Sequence, residues 1–376
     1  MLDYEFLRLS WWLLMGILFI GFAITDGFDL GVASLLNFIA KTDSEKRIVI
    51  NTVGPFWEGN QVWLLLAGGA IFAAFPYVYA VSFSGFYLAM MLLLVALILR
   101  PVAFKYRSKS EKKGWRDTWD FMHFLSGFLP ALLSGVAVGN VIQGISYEFD
   151  KSTFSVVVYT TFLELLNPYA ILIGLISVTM LFMHGSIYVC IKTEDPIQSR
   201  THSLARFFGI LFLLLYLVAS FWTFKYLNGY KIISPILLKG ASNPLLKQVI
   251  QLKGAWGDNF RTMLWVWLAP IFTVLGAIFA IFFVNLKKYS SAFISSAISI
   301  FGTVSTVGLG LFPFILPNSL NPSQSLTLWD SSSSQKTLEV MFFSALIFVP
   351  IILIYTSWVY RVLRGKITHK TLTEEN

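Results

Sequence analysis

The chain has 376 residues, of which 56% are hydrophobic and only 13% charged, with 35 Phe, 12 Trp and a net charge of +8. Soluble domains carry about 25% charged residues, so this composition excludes a soluble enzyme and identifies an integral membrane protein. The single cysteine, Cys190, excludes an iron–sulfur site, a C-x-x-C-H haem attachment and an internal disulfide. No internal repeat is evident, and the one low-complexity tract is Ser331–Ser334. The N-terminus lacks the short apolar core and A-x-A site of a signal peptide.

A spanning helix needs about 20 apolar residues. Nine candidates follow along the chain: Leu9–Ala40, Phe56–Phe75, Tyr79–Arg100, Trp119–Val141, Pro168–Ile191, Leu204–Phe224, Met263–Leu286, Ser291–Phe312 and Leu338–Leu363. The predicted fold is therefore an all-α, polytopic single membrane domain over residues 1–376. The second candidate is the weakest, because it begins with polar residues. The fifth starts cleanly, with Asn167 as cap and Pro168 in the first turn, which leaves Glu164 at the interface.

Loops after the odd-numbered spans, with Arg206 and Arg361 in the helix ends beside them and Arg100 left apart, hold 18 of the 28 Lys and Arg, six of them in Lys105–Arg116. The positive-inside rule then places the N-terminus outside and the C-terminus in the cytoplasm. Eight spans would break the alternation. The same distribution explains the +8 by topology, without nucleic acid as a partner.

The first span is interrupted by "AITDGFDLGV". A charged side chain at bilayer centre costs roughly 2.5–3.5 kcal/mol on the mildest scale, so Asp26 and Asp29 need a reason. Orientation places both in the cytoplasmic half. The second span enters from that side through "WEGNQVW", with Glu58 one or two turns in, and the third returns there at Arg100. Asp26 and Asp29, three apart, share nearly one helix face, and Gly27 and Gly31 leave room for a helix or water. Intramembrane carboxylates commonly relay protons or bind ions. That reading is favoured for Asp29 and Glu58, while Asp26 stands equally as a helix cap. Arg100 is read as snorkelling to lipid phosphate. Asn60 and Gln61 either hold water in a proton path or bond across helices. Trp57 and Trp63 are read as packing or belt residues.

Other features are blander. His123 and His184 lie near cytoplasmic helix ends but are not paired as iron ligands. "GLGLF" follows no strand and is helix packing, not a nucleotide fingerprint. In "LNPSQSLTLWDSSSSQKTL", Asp330 and the serines are expected to make turns and cap the ninth span. No Walker sequence, Ser-His-Asp set or zinc cluster is present.

The stretches "GFAITDGFDLGV", "FWEGNQVWLLLAGGAIFAAFP", "FSGFYLAMMLLLVALILRPVAFKYRSK" and "SLTLWDSSSSQKTL" resemble subunit II of the cytochrome bd-type quinol oxidases, nearly end to end. The resemblance implies two four-helix bundles plus a peripheral ninth helix, in a bacterial cytoplasmic (inner) membrane complex that oxidises quinol and reduces dioxygen to water. It implies that haems b and d sit on a partner, subunit I, and that this chain is haem-free. It admits a structural quinone on this subunit and small single-helix accessory subunits, with quinol and lipid as further partners. It implies a cytoplasmic proton pathway at the subunit interface served by Asp29 and Glu58; the reading of the residues themselves adds Asp26, Asn60 and Gln61 to that path, with Arg100 as charge partner. Two positions depart from the family pattern: Glu58 stands where many relatives have Asp, and Phe56 where many have His. Alternatives from the residues alone are a secondary transporter with a carboxylate ion site and a structural scaffold for a catalytic partner.

Overall fold

The computed structural model describes residues 2–368. Met1 and residues 369–376, which the single-domain reading includes, lie outside them. The described chain is dominated by helices: α1 Tyr4–Ile39, α2 Asp43–Val53, α3 Trp57–Ala74, α4 Pro76–Gly85, α5 Tyr87–Tyr106, α6 Lys113–Gln143, α7 Pro168–Lys192, α8 Ile197–Lys225, α9 Asp258–Thr262, α10 Leu268–Asn285, α11 Tyr289–Leu311 and α12 Gln335–Val362. Eight stretches of helix among the described residues are long and apolar enough to cross a membrane. The α3 helix has 18 residues and is not among the eight. Its first turns spend Glu58, Asn60 and Gln61 where apolar residues would count.

The predicted span Tyr79–Arg100 needs correction. The chain is helical from Pro76 to Gly85, breaks at Phe86, and begins a new helix at Tyr87 that runs on to Tyr106. The apolar run is continuous across the break, so hydropathy alone could not show it.

Local chemistry explains the helix starts. Asn167 accepts a hydrogen bond from Ala170 N at 2.9 Å, and Pro168 occupies the first turn of α7. Ser334 caps α12 by accepting from Thr337 N at 3.3 Å. Thr42 caps α2 through Glu45 N, and Glu45 accepts in return from Lys41 N at 2.6 Å, close to a capping box.

Helix α1 is central. It packs against α3, α6, α7 and α11; α6 also packs on α5 and α7, α7 on α8, α10 on α8 and α11, and α12 on α1 and α3. Small residues set the tightest crossing. A Cβ on Gly185 of α7 would sit 2.9 Å from Gly31 Cα of α1, so Gly31 serves a neighbouring backbone. The opposite end of the bundle from α2 carries three antiparallel pairs: β1 Tyr147–Phe149 with β2 Val156–Val158, β3 Asn228–Ile232 with β4 Val249–Lys253, and β5 Phe314–Leu316 with β6 Leu326–Thr327.

A buried polar knot joins those loops to α1. Arg8 donates to Ser332 Oγ at 2.8 Å, to the Leu238 carbonyl at 2.6 Å and to the Gly240 carbonyl at 2.9 Å. Asp330 accepts from Thr327 N and Oγ1, as its turn role requires. It also pairs with Lys247 at 2.8 Å, a long-range partner the sequence did not suggest. Burial raises the Asp330 pKa and lowers that of Lys247.

Candidate functional site: buried carboxylates in the first helix

The two aspartates of α1 are fully buried and differ in their partners. Asp26 receives Arg100 of α5, with Nη1 on Oδ1 at 2.5 Å and Nη2 on Oδ2 at 3.3 Å. This is a forked, bidentate pair in which a planar guanidinium matches a carboxylate. Arg100 is 1% exposed, so it does not snorkel to lipid phosphate. The reason is reach: its partner lies on the adjacent bundle face, 74 residues away in sequence, and pairing removes the cost that snorkelling would avoid. Both carboxylate oxygens of Asp26, which the sequence leaves open between cap and site, meet Arg100.

Asp29, one turn on, forms no ion pair among the described residues. Its Oδ2 accepts from Asn60 Nδ2 of α3 at 2.8 Å, and Asn60 Oδ1 accepts from Tyr360 Oη of α12 at 2.6 Å. Its Oδ1 has no hydrogen-bond partner among the described residues. The chain Asp29–Asn60–Tyr360 thus crosses three helices. Asn60 therefore bonds across helices on both sides, to α1 and to α12. Tyr360 was missed, since a lone Tyr at the end of a spanning helix reads as a belt residue. Its ring stacks on Phe56 with centroids 4.7 Å apart, so Phe56 is a packing surface for Tyr360.

Glu58 and Gln61 are not gathered in. Glu58 lies in the first turn of α3, not one or two turns in, and is exposed on the helix surface. Gln61 is half-buried. Trp63 is buried against α1 beside Gly21, and Trp57 stacks on Phe104 at 5.9 Å, both packing roles.

The histidines differ as well. His184 Nδ1 bonds Ser296 Oγ at 2.7 Å and Nε2 bonds the Ile24 carbonyl at 3.0 Å, so neither nitrogen is free for iron. His123 is 2% exposed, and its Nε2 has no hydrogen-bond partner among the described residues. No group of three or more His, Cys, Asp or Glu suited to a metal ion occurs among them.

A family model described as cytochrome bd terminal oxidase subunit II matches residues 7–363. The chain belongs to this family. It is 45% identical over 368 residues to the probable cytochrome oxidase subunit 2 of Haemophilus influenzae, covering 98% of this chain and 97% of that one. It is 43% identical over 373 residues to the cytochrome bd-I ubiquinol oxidase subunit 2 of Escherichia coli K12, covering 99% and 98%. A solved bd oxidase from Geobacillus thermodenitrificans shares the fold, with a TM-score of 0.71 at 15% identity over 95% of this chain and 98% of that one. Membership makes the chain a multi-pass bacterial membrane subunit, and the comparisons lend no support to a secondary transporter.

Proposed function

We propose that this chain is the haem-free subunit of a quinol:oxygen oxidoreductase and carries its cytoplasmic proton-uptake path. The observation that carries this reading is the unequal pair in α1. Arg100 pairs with Asp26, whereas Asp29 has only an amide donor among the described residues. In a medium of low dielectric an uncompensated carboxylate is costly, and a bound proton is the balancing charge open to it. Asp29 can therefore take up and give up a proton beside a fixed cation, with Asn60 and Tyr360 continuing the hydrogen-bonded line. Reduction of dioxygen to water consumes protons. Drawing them from the cytoplasm, while quinol releases its own outside, charges the membrane without a pump.

The surrounding architecture follows the same proposal. The α3 helix serves as the second of nine spans, the helices group as two bundles with α12 peripheral, and the N-terminus faces outside. The exposed Glu58 fits a surface covered by the haem-bearing subunit, which would supply haems b and d and hold the redox chemistry. Quinol, lipid, single-helix accessory subunits and a structural quinone belong to the same assembly.

The test uses the intact oxidase. Asp29→Asn and Glu58→Gln keep shape and hydrogen bonding but remove the exchangeable acid. Each is expected to assemble with full haem content and to slow oxygen consumption at least about tenfold, or ~1.4 kcal/mol on the limiting barrier. Glu58→Asp should retain much more activity, and anaerobic haem reduction by quinol should stay fast. Normal turnover in both fully assembled variants would make the acids structural.

A further inference from the structure

The buried pair needs a connection to the cytoplasmic surface. Arg107, the C-cap of α5, lies seven residues, or two turns and about 10 Å, beyond Arg100 on the same helix face. There it pairs with Asp120 of α6 at 2.5 Å and Asp43 of α2 at 2.9 Å, while Lys46 of α2 binds Asp120 at 2.7 Å. This ionic cluster forms the outer rung, and Arg100–Asp26 forms the inner one.

Between them, Phe104 occupies the α5 face, four residues from Arg100 and three from Arg107. His123 of α6, one turn past Asp120, meets the Phe104 ring edge-on at 4.8 Å. Arg100 and Arg107 of α5 and Asp120 of its own helix act on it electrostatically. Among the described residues seven buried side-chain polar atoms lack a hydrogen-bond partner, and four of them belong to these residues and to Asp29: Arg107 Nη1, His123 Nε2, Arg100 Nε and Asp29 Oδ1. Buried polar groups are satisfied by protein or by ordered water. Water is the partner open to these four atoms, which belong to α1, α5, its C-cap Arg107 and α6.

We propose that His123 is the positioning residue that holds water between the cytoplasmic Arg107–Asp120 cluster and the Arg100–Asp26 pair, carrying the proton path across the gap at Phe104. A proton passes from one water to the next, and the imidazole orients the chain through Nε2 without leaving net charge behind. The inference rests on the proton-uptake reading and deepens it by naming the route between α5 and α6.

The intact oxidase tests it with His123→Leu, His123→Met and His123→Gln. Leu and Met fill the volume without a hydrogen bond, and Met serves should Leu fail to assemble. The apolar variants are expected to keep full haem content, consume oxygen about fivefold more slowly and show a larger solvent isotope effect. His123→Gln should keep more than half the activity, because its amide can hold the water. Anaerobic haem reduction by quinol should be unchanged in all three. Normal turnover in the apolar variants, equal slowing in Gln, or parallel loss of haem reduction would each overturn the assignment. Slow Asp29→Asn beside normal His123→Leu would sink His123 alone. Slow His123→Leu beside normal Asp29→Asn would leave His123 standing and sink the role of Asp29.

Discussion

Asp26 and Asp29 differ by one helical turn and by what faces them. That difference carries separable consequences. Removing one partner of a buried ion pair leaves the other unpaired and costs about 3–5 kcal/mol, whereas replacing both is often near neutral. Arg100→Leu alone is therefore expected to cut the yield of assembled oxidase sharply, and Arg100→Leu with Asp26→Leu to restore much of it. Heat-inactivation of the purified complexes measures this. Equal damage in single and double variants would mean that the pair is not what holds these helices. The sequence made the aspartates legible because charge interrupts a greasy run. It could not tell paired from unpaired, since the deciding residues, Arg100 and Asn60, sit 74 and 31 positions away. Tyr360, 300 positions from Asn60, carried no local signal at all.

At the level of elements, the helices were legible wherever the apolar period, a cap and a basic flank agreed, as at Pro168–Lys192. The break at Phe86 was not, because both sides of it are equally apolar. The short helix α2 was also not anticipated, being a polar loop in hydropathy. Its Glu45 is mostly buried and binds Arg200 at the start of α8, at 2.7 and 3.2 Å, and that hydrogen bond leads the causes that lower the Glu45 pKa. A carboxyl whose folded pKa is depressed contributes stability above its unfolded value, near 4.3, and loses it as pH falls through the folded pKa. Glu45→Gln should therefore lower the Tm of the detergent-solubilised oxidase at pH 7, and the gap from the parent should narrow as pH drops below about 4.5. A gap independent of pH would assign the loss to packing.

For the whole molecule, polarity is sorted by end. One end holds α2 and the ionic cluster of Asp43, Lys46, Arg107, Arg116 and Asp120. The other holds the three hairpins and the Arg8 knot. The apolar belt between them keeps large side chains such as Leu65, Ile98, Leu264 and Ile354 on the surface, as lipid and a partner subunit require. The proton-uptake proposal depends on which end faces the cytoplasm, because only then do protons reach Asp29 from inside. The positive-inside rule, applied to the excess of Lys and Arg at the α2 end, predicts that this end is cytoplasmic. The chain offers a clean background for testing it, since its one cysteine, Cys190, is 0% exposed. A cysteine introduced at Lys109, in the connection between α5 and α6, should react with a membrane-impermeant maleimide only after the cytoplasmic side is opened. One introduced at Lys151, in the β1–β2 hairpin, should react in intact spheroplasts. The reverse pattern would invert the orientation, place Asp29 in the outer half of the membrane, and make a cytoplasmic route through His123 impossible.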